Sequence, residues 1–146
     1  MIKLKNLFFE PYLTEKVILK RVKELAASIN NDYQTKNPIF LAVLNGSFMF
    51  MSDICKEISV EMSVSFIKVA SYSGNSMAHL LEMINKEQPS SVELVSLLFK
   101  PDALVKPIKI KYVGFEIPDL FVVGYGLDYQ GQGRNLRDIY QIVENN

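Results

Sequence analysis

A single cysteine, Cys55, stands among the 146 residues. One thiol cannot close an internal disulfide, so the fold cannot rest on covalent staples, and a reducing compartment is the simpler setting. Cys55 ends the apolar stretch Met51-Ser52-Asp53-Ile54-Cys55, within which no basic residue stands to activate it, and this predicts a buried structural thiol. Neither sign of charge is in excess, because 16 Lys and Arg face 16 Asp and Glu. A general nucleic-acid binder therefore loses its electrostatic basis, while a small local basic site for phosphate stays open. No run approaches the ~20 apolar residues that a bilayer span requires. Met1 to Glu10 is basic and then apolar, but its apolar part is short for a signal sequence and no small-residue cleavage site follows. A soluble cytoplasmic protein is expected, with neither membrane nor nucleic acid as partner. Histidine is equally scarce. His79 has no Cys or His at zinc spacing and reads as a helix-surface or packing residue. There is no Walker A pattern and no Gly-x-Ser-x-Gly elbow.

What is present suits one packed domain over residues 1–146. Hydrophobic residues make up 49% of the chain, and a chain of this length buries enough surface for one core. Thr14 is a plausible cap for a helix in which Ile18, Val22, Leu25, Ala26 and Ile29 recur at helical spacing, ending near Asn30-Asn31. The continuous apolar run Pro38 to Leu44 predicts a strand covered on both faces, as in a parallel sheet. Phe48 to Ile58 has helical character. Met62, Val64 and Phe66 alternate with serines as a strand running toward Ser71-Tyr72. Ser76 can cap a helix in which Met77, Leu80, Leu81 and Ile84 share a face. Val92 to Leu98, Tyr112 to Phe115, Phe121 to Tyr125 and Ile139 to Val143 are further strand candidates. Helices alternating with buried strands indicate an α/β fold.

Ligands of α/β sheets bind where strands run into helices. Two such loops have phosphate-binding chemistry. In Leu44-Asn45-Gly46-Ser47 the glycine admits an anion close to backbone N–H groups at a helix start, and Ser73-Gly74-Asn75-Ser76 adds two hydroxyls. As isolated patterns, both are more often an ordinary turn and cap. Phe121, at the turn Pro118-Asp119-Leu120, could stack on a planar ligand or fill the core.

Order and spacing near the C-terminal end are more specific. Tyr112-Val113-Gly114-Phe115-Glu116-Ile117-Pro118-Asp119, then Phe121-Val122-Val123-Gly124-Tyr125-Gly126-Leu127-Asp128-Tyr129, then Arg134-Asn135-Leu136, resemble hypoxanthine(-guanine) phosphoribosyltransferases of the type I phosphoribosyltransferase family. Val43 to Met51 is similar to the pyrophosphate loop of that family, and Ser71-Tyr72 to the start of its flexible lid. The resemblance covers most of residues 38–140. It implies a parallel sheet flanked by helices, with a base-binding hood built from the N-terminal and C-terminal segments. The implied reaction belongs to purine salvage: ribose 5-phosphate passes from phosphoribosyl pyrophosphate (PRPP) to hypoxanthine or guanine, giving IMP or GMP and pyrophosphate, with Mg2+ as cofactor. A homodimer or homotetramer is implied as well. By matching position, Phe121 would stack on the purine, Val122 would offer backbone hydrogen bonds to its edge, and Lys100 would bond its carbonyl oxygen. Leu44, Asn45, Gly46 and Arg134 would hold pyrophosphate, Asp128 would face the metal, and Ser73, Gly74, Asn75 and Ser76 would cradle the 5′-phosphate.

Two departures stand against the resemblance. Asn45 occupies a position where the family commonly has Lys. More seriously, the family places an apolar strand ending in Glu-Asp-Ile-Ile-Asp-Thr-Gly before the helix that corresponds to residues 77–86, and its acids grip the ribose and serve as the acid/base candidate. Here no Asp or Glu occurs between Glu61 and Glu82. About thirty residues of lid and core strand are missing by family length, so no catalytic acid is assigned. One expected outcome is that strand 62–72 feeds the phosphate loop directly in a shortened sheet. Activity is expected to be impaired. A non-catalytic purine-nucleotide-binding protein and a self-associating structural homologue are the alternatives.

Overall fold

The structure, a computed structural model, describes residues 1–69, 76–104 and 107–144. In chain order its elements are β1 (Ile2–Leu4), β2 (Leu7–Leu13), α1 (Glu15–Asp32), β3 (Ile39–Leu44), α2 (Phe48–Lys56), β4 (Ser63–Lys68), α3 (Ser76–Asn85), β5 (Val95–Phe99), β6 (Tyr112–Glu116), β7 (Val122–Val123) and β8 (Ile139–Ile142). They fall into two compact units, one formed by residues 1–68 and 120–146 and the other by residues 69–119.

The first unit is organised by α1. The five apolar residues read from spacing (Ile18, Val22, Leu25, Ala26 and Ile29) are its buried stripe. Thr14 Oγ1 accepts from Val17 N at 3.4 Å, and Asp138 Oδ1 accepts from Glu15 N at 2.7 Å. Two otherwise orphan amides are thus satisfied, one of them by a residue far along the chain. An antiparallel sheet in the order β1-β2-β8-β7 joins the two ends of the sequence. Phe9 pairs with Ile142 and Glu10 with Gln141, then the register shifts between Pro11 and Leu13. Proline lacks the ladder donor, which accounts for an irregularity at that point. Phe9, Val123 and Ile139 are fully buried, along with Ile18, Val22 and Ile29 from α1.

The parallel pairing expected from the apolar run is present: β3 pairs with β4 from Ile39↔Ser63 to Leu44↔Lys68. The expectation that both faces are covered is corrected. Only Ala42 of β3 is buried, Ile39 is 70% exposed, and Phe66 on β4 is 60% exposed. Cys55 is also corrected. It lies half-buried on α2, where its Sγ donates to the Ser52 carbonyl.

In the second unit β5 pairs in parallel with β6, matching Val95 to Tyr112 and Leu98 to Phe115. On α3, Leu80 is buried and His79 exposed, as a surface histidine should be. Among the described residues the parallel strands form two pairs, one in each unit. The stretch that would carry β4 on to Tyr72 lies outside the described residues. No helix among the described residues is long and apolar enough to cross a membrane.

Candidate active site

The loop after β3 leads into the N-terminus of α2. The Leu44–Asn45 peptide is cis, and Asn45 is exposed while Leu44 and Gly46 are half-buried. Ser47 occupies the N-cap of α2 without capping it, because its hydroxyl turns back to donate to the Val43 carbonyl at 2.7 Å. The first-turn amides of α2 are therefore not taken by Ser47. They sit at the helix end where negative charge is favoured.

Residues 124–134 close over this loop. Gly126 has φ 98°, and a Cβ there would overlap the Gly46 carbonyl. Two backbones approach so closely only because that position has no side chain. Arg134 Nη1 donates to the Gly126 carbonyl at 2.6 Å, and its Nη2 lies 3.3 Å from Asp128 Oδ1. The second oxygen of Asp128 accepts from Gly131 N at 2.7 Å. Gly46, Gly126, Arg134 and Asp128 are thus brought together, with the guanidinium held by its own loop. The pair Arg134–Asp128 is about one-third exposed, so solvent screens it and its own contribution to stability is small.

A second part of the candidate site is set by β7. Phe121 precedes it and is 43% exposed. One side of its ring leans on Phe9 at a centroid distance of 5.9 Å, and Tyr129 meets it edge-on at 5.7 Å and 88°. A ring held on two sides and open on another can offer its face to a planar ligand. Ile142 N donates to the Phe121 carbonyl at 3.0 Å. Opposed residues of an antiparallel pair alternate between bonded and non-bonded. Val122, opposite Gln141, is therefore in a non-bonded pair, with its N–H and C=O directed away from β8 at the outer edge of the sheet. That is the orientation backbone contacts to a base edge require.

The remaining sequence candidates fall in the second unit or outside the described residues. Lys100 is half-buried at the end of β5 in the second unit, at the N-cap of a 3-10 turn, Pro101–Ala103. Ser71, Tyr72, Ser73, Gly74 and Asn75 lie outside the described residues, and Ser76 is the first residue of α3. Sequence reading missed Phe9, Tyr129 and the pair Tyr125–Asp53, whose hydroxyl-to-carboxylate bond spans 2.6 Å. The signal for Tyr125 was available, since a large residue between Gly124 and Gly126 marks an unusual backbone. Nothing local marked Asp53 as its partner. Among the described residues no cluster of three or more His, Cys, Asp or Glu could hold a metal by itself.

Comparison with known proteins agrees with the geometry. The model of the phosphoribosyl transferase domain matches in two pieces, residues 10–75 and 70–130. The hypoxanthine-guanine phosphoribosyltransferase of Bacillus subtilis is 34% identical over 157 aligned positions, which cover 85% of this chain and 87% of the relative. A share of 85% of 146 residues is about 124, so about thirty aligned positions of the relative have no counterpart here. The two-piece match puts that break at residues 70–75. The crystal structure of a hypoxanthine-guanine phosphoribosyltransferase from Bacillus anthracis superposes with a TM-score of 0.91 at 29% identity, covering 94% of this chain and all of that one. The hypoxanthine phosphoribosyltransferase of Trypanosoma cruzi, solved with the product IMP, gives 0.85 at 29% identity, covering 97% and 93%. With its parallel strand pairs, its glycine loop closed by Arg134 and Asp128, and its Phe121 platform, the chain belongs to the phosphoribosyl transferase family, among the proteins resembling hypoxanthine-guanine phosphoribosyltransferases.

Proposed function

We propose that this protein transfers ribose 5-phosphate between PRPP and hypoxanthine or guanine, with turnover much lower than that of relatives that keep the absent segment. In the forward direction a bond forms between N9 of the base and C1′ of the ribose while the C1′–O bond to pyrophosphate breaks. The observation that carries the reading is the closure of residues 124–134 on the Gly46 loop. It joins a helix N-terminus, a fixed guanidinium and a carboxylate at one place. Arg134 would bind pyrophosphate oxygens through its planar fork. Phe121 would stack on the base, Val122 would bond its edge, and Lys100 would donate to its carbonyl oxygen.

Asp128 fits a magnesium ion that arrives with the substrate. Each of its oxygens has one partner here, and a carboxylate has about four lone-pair sites. Magnesium commonly takes one or two carboxylates and completes its shell with phosphate oxygens and water. When bound, it would neutralise charge on the leaving pyrophosphate.

The absence of any acid between Glu61 and Glu82 favours a second reading, a purine-nucleotide-binding protein without turnover. Conversion of hypoxanthine to IMP by the purified chain, with PRPP and magnesium, separates the two. Loss of a general acid/base predicts turnover about 10² to 10⁴ times slower than that of an intact relative. Saturable IMP binding with no product would select the second reading, and no IMP binding would refute both.

A further inference from the structure

Tyr125 is 5% exposed, and its hydroxyl donates to Asp53 Oδ2 at 2.6 Å. The other oxygen of that carboxylate lies 3.1 Å from Lys56 Nζ. Gly124, Tyr125 and Gly126 have φ values of 97°, 49° and 98°, so three consecutive residues take left-handed backbone. A tyrosine adopts that conformation only where its surroundings hold it there. Two bonds do so: the one to Asp53, and one from Tyr125 N to the Leu136 carbonyl at 2.8 Å. The next carbonyl along, that of Gly126, is the acceptor for Arg134. Asp53 belongs to α2, the helix that starts at the pyrophosphate loop. A single side-chain bond therefore ties the helix behind one half of the site to the loop that forms the other half.

We propose that Tyr125 is a positioning residue for pyrophosphate. Its bond to Asp53 fixes residues 124–134 on α2, and so sets the distance between Arg134 and the Asn45-Gly46 loop. This rests on the pyrophosphate reading of that loop. Removing the hydroxyl keeps the buried ring but releases the tether, so affinity for the anion falls while base binding at Phe121 is spared.

The test compares the full chain with Tyr125→Phe, Asp53→Ala and Asp53→Asn, by titration with magnesium pyrophosphate and separately with IMP, alongside thermal unfolding. Tyr125→Phe and Asp53→Ala are expected to weaken pyrophosphate about tenfold, the scale of one hydrogen bond to a charged group. IMP affinity should change less than about twofold. Asp53→Asn keeps an acceptor oxygen and should restore most of the pyrophosphate affinity. Unchanged pyrophosphate affinity in Tyr125→Phe would overturn the inference alone. Equal weakening of both ligands, tracking a lower melting temperature, would also overturn it by making the bond merely structural. If the parent chain binds IMP but no pyrophosphate, the loop assignment itself is wrong and the inference goes with it.

Discussion

Alanine at Gly126 should cost far more than alanine at Gly131, although both positions have left-handed backbone. The two φ values are 98° and 83°, so the conformational penalty is shared. For an L-residue that penalty is about 1–2 kcal/mol. The surroundings differ. At Gly131 a Cβ meets nothing within 4 Å, whereas at Gly126 it overlaps the Gly46 carbonyl, a backbone atom that cannot rotate aside. Forcing a group into filled space adds about 1–3 kcal/mol. Gly126→Ala should therefore lose roughly 2–5 kcal/mol and Gly131→Ala roughly 1–2 kcal/mol. Urea unfolding followed by far-ultraviolet circular dichroism measures both, provided the slopes agree. The Gly126 variant should also bind magnesium pyrophosphate more weakly than its stability loss explains, because the Gly46 carbonyl has to move. Two variants equal within about 0.5 kcal/mol would refute the close approach of the loops, since neutral surface changes already span that range.

Phe121→Ala should weaken IMP binding about 5- to 100-fold, the scale of one base–aromatic stack, as read by calorimetric titration; unchanged affinity would place the base elsewhere. Burial first, and then the hydrogen bond and charge of Asp53, with a smaller contribution from Glu15, hold the Tyr125 hydroxyl protonated well above the ordinary tyrosine value of 10.0. The unfolded chain releases this proton above that value while the folded chain keeps it, so the stabilisation is complete below it and declines as pH rises. Between about pH 10 and 11 the parent should lose about 1 kcal/mol more than Tyr125→Phe in urea unfolding. Equal losses would mean that the hydroxyl titrates freely.

The parts of this fold that announce themselves in sequence are those whose surroundings repeat with a period. Ile18, Val22, Leu25, Ala26 and Ile29 line one face of a cylinder, so spacing alone identified the buried side of α1. The hairpin of β1 and β2 gave no such signal. Pro11 interrupts the second strand, and the turn is made by Lys5 at φ 52° rather than by glycine. The run from Ile39 to Leu44 read as doubly covered because composition reports apolarity and not what packs on each face of a strand. At the site, Asp128 and Arg134 were legible because both lie in one motif. Asp53 was not, because 72 residues separate it from Tyr125 and its near neighbour Lys56 already accounts for its charge. The approach of Gly126 to Gly46 is likewise a tertiary fact, and the glycines alone left several turns equally possible.

The sheet that joins β2 to β8 also sets a schedule for synthesis. Phe9 finds its partner only when Ile142 has been made. At about 5–20 residues per second, the first hairpin waits on the order of ten seconds for the strand that completes its sheet. Throughout that interval the ribosome-bound chain has an N-terminal ribbon with an open edge, next to an α1 stripe whose cap from Asp138 has not yet been translated. The Phe121 platform leans on Phe9, so two residues made far apart in time must meet before it forms.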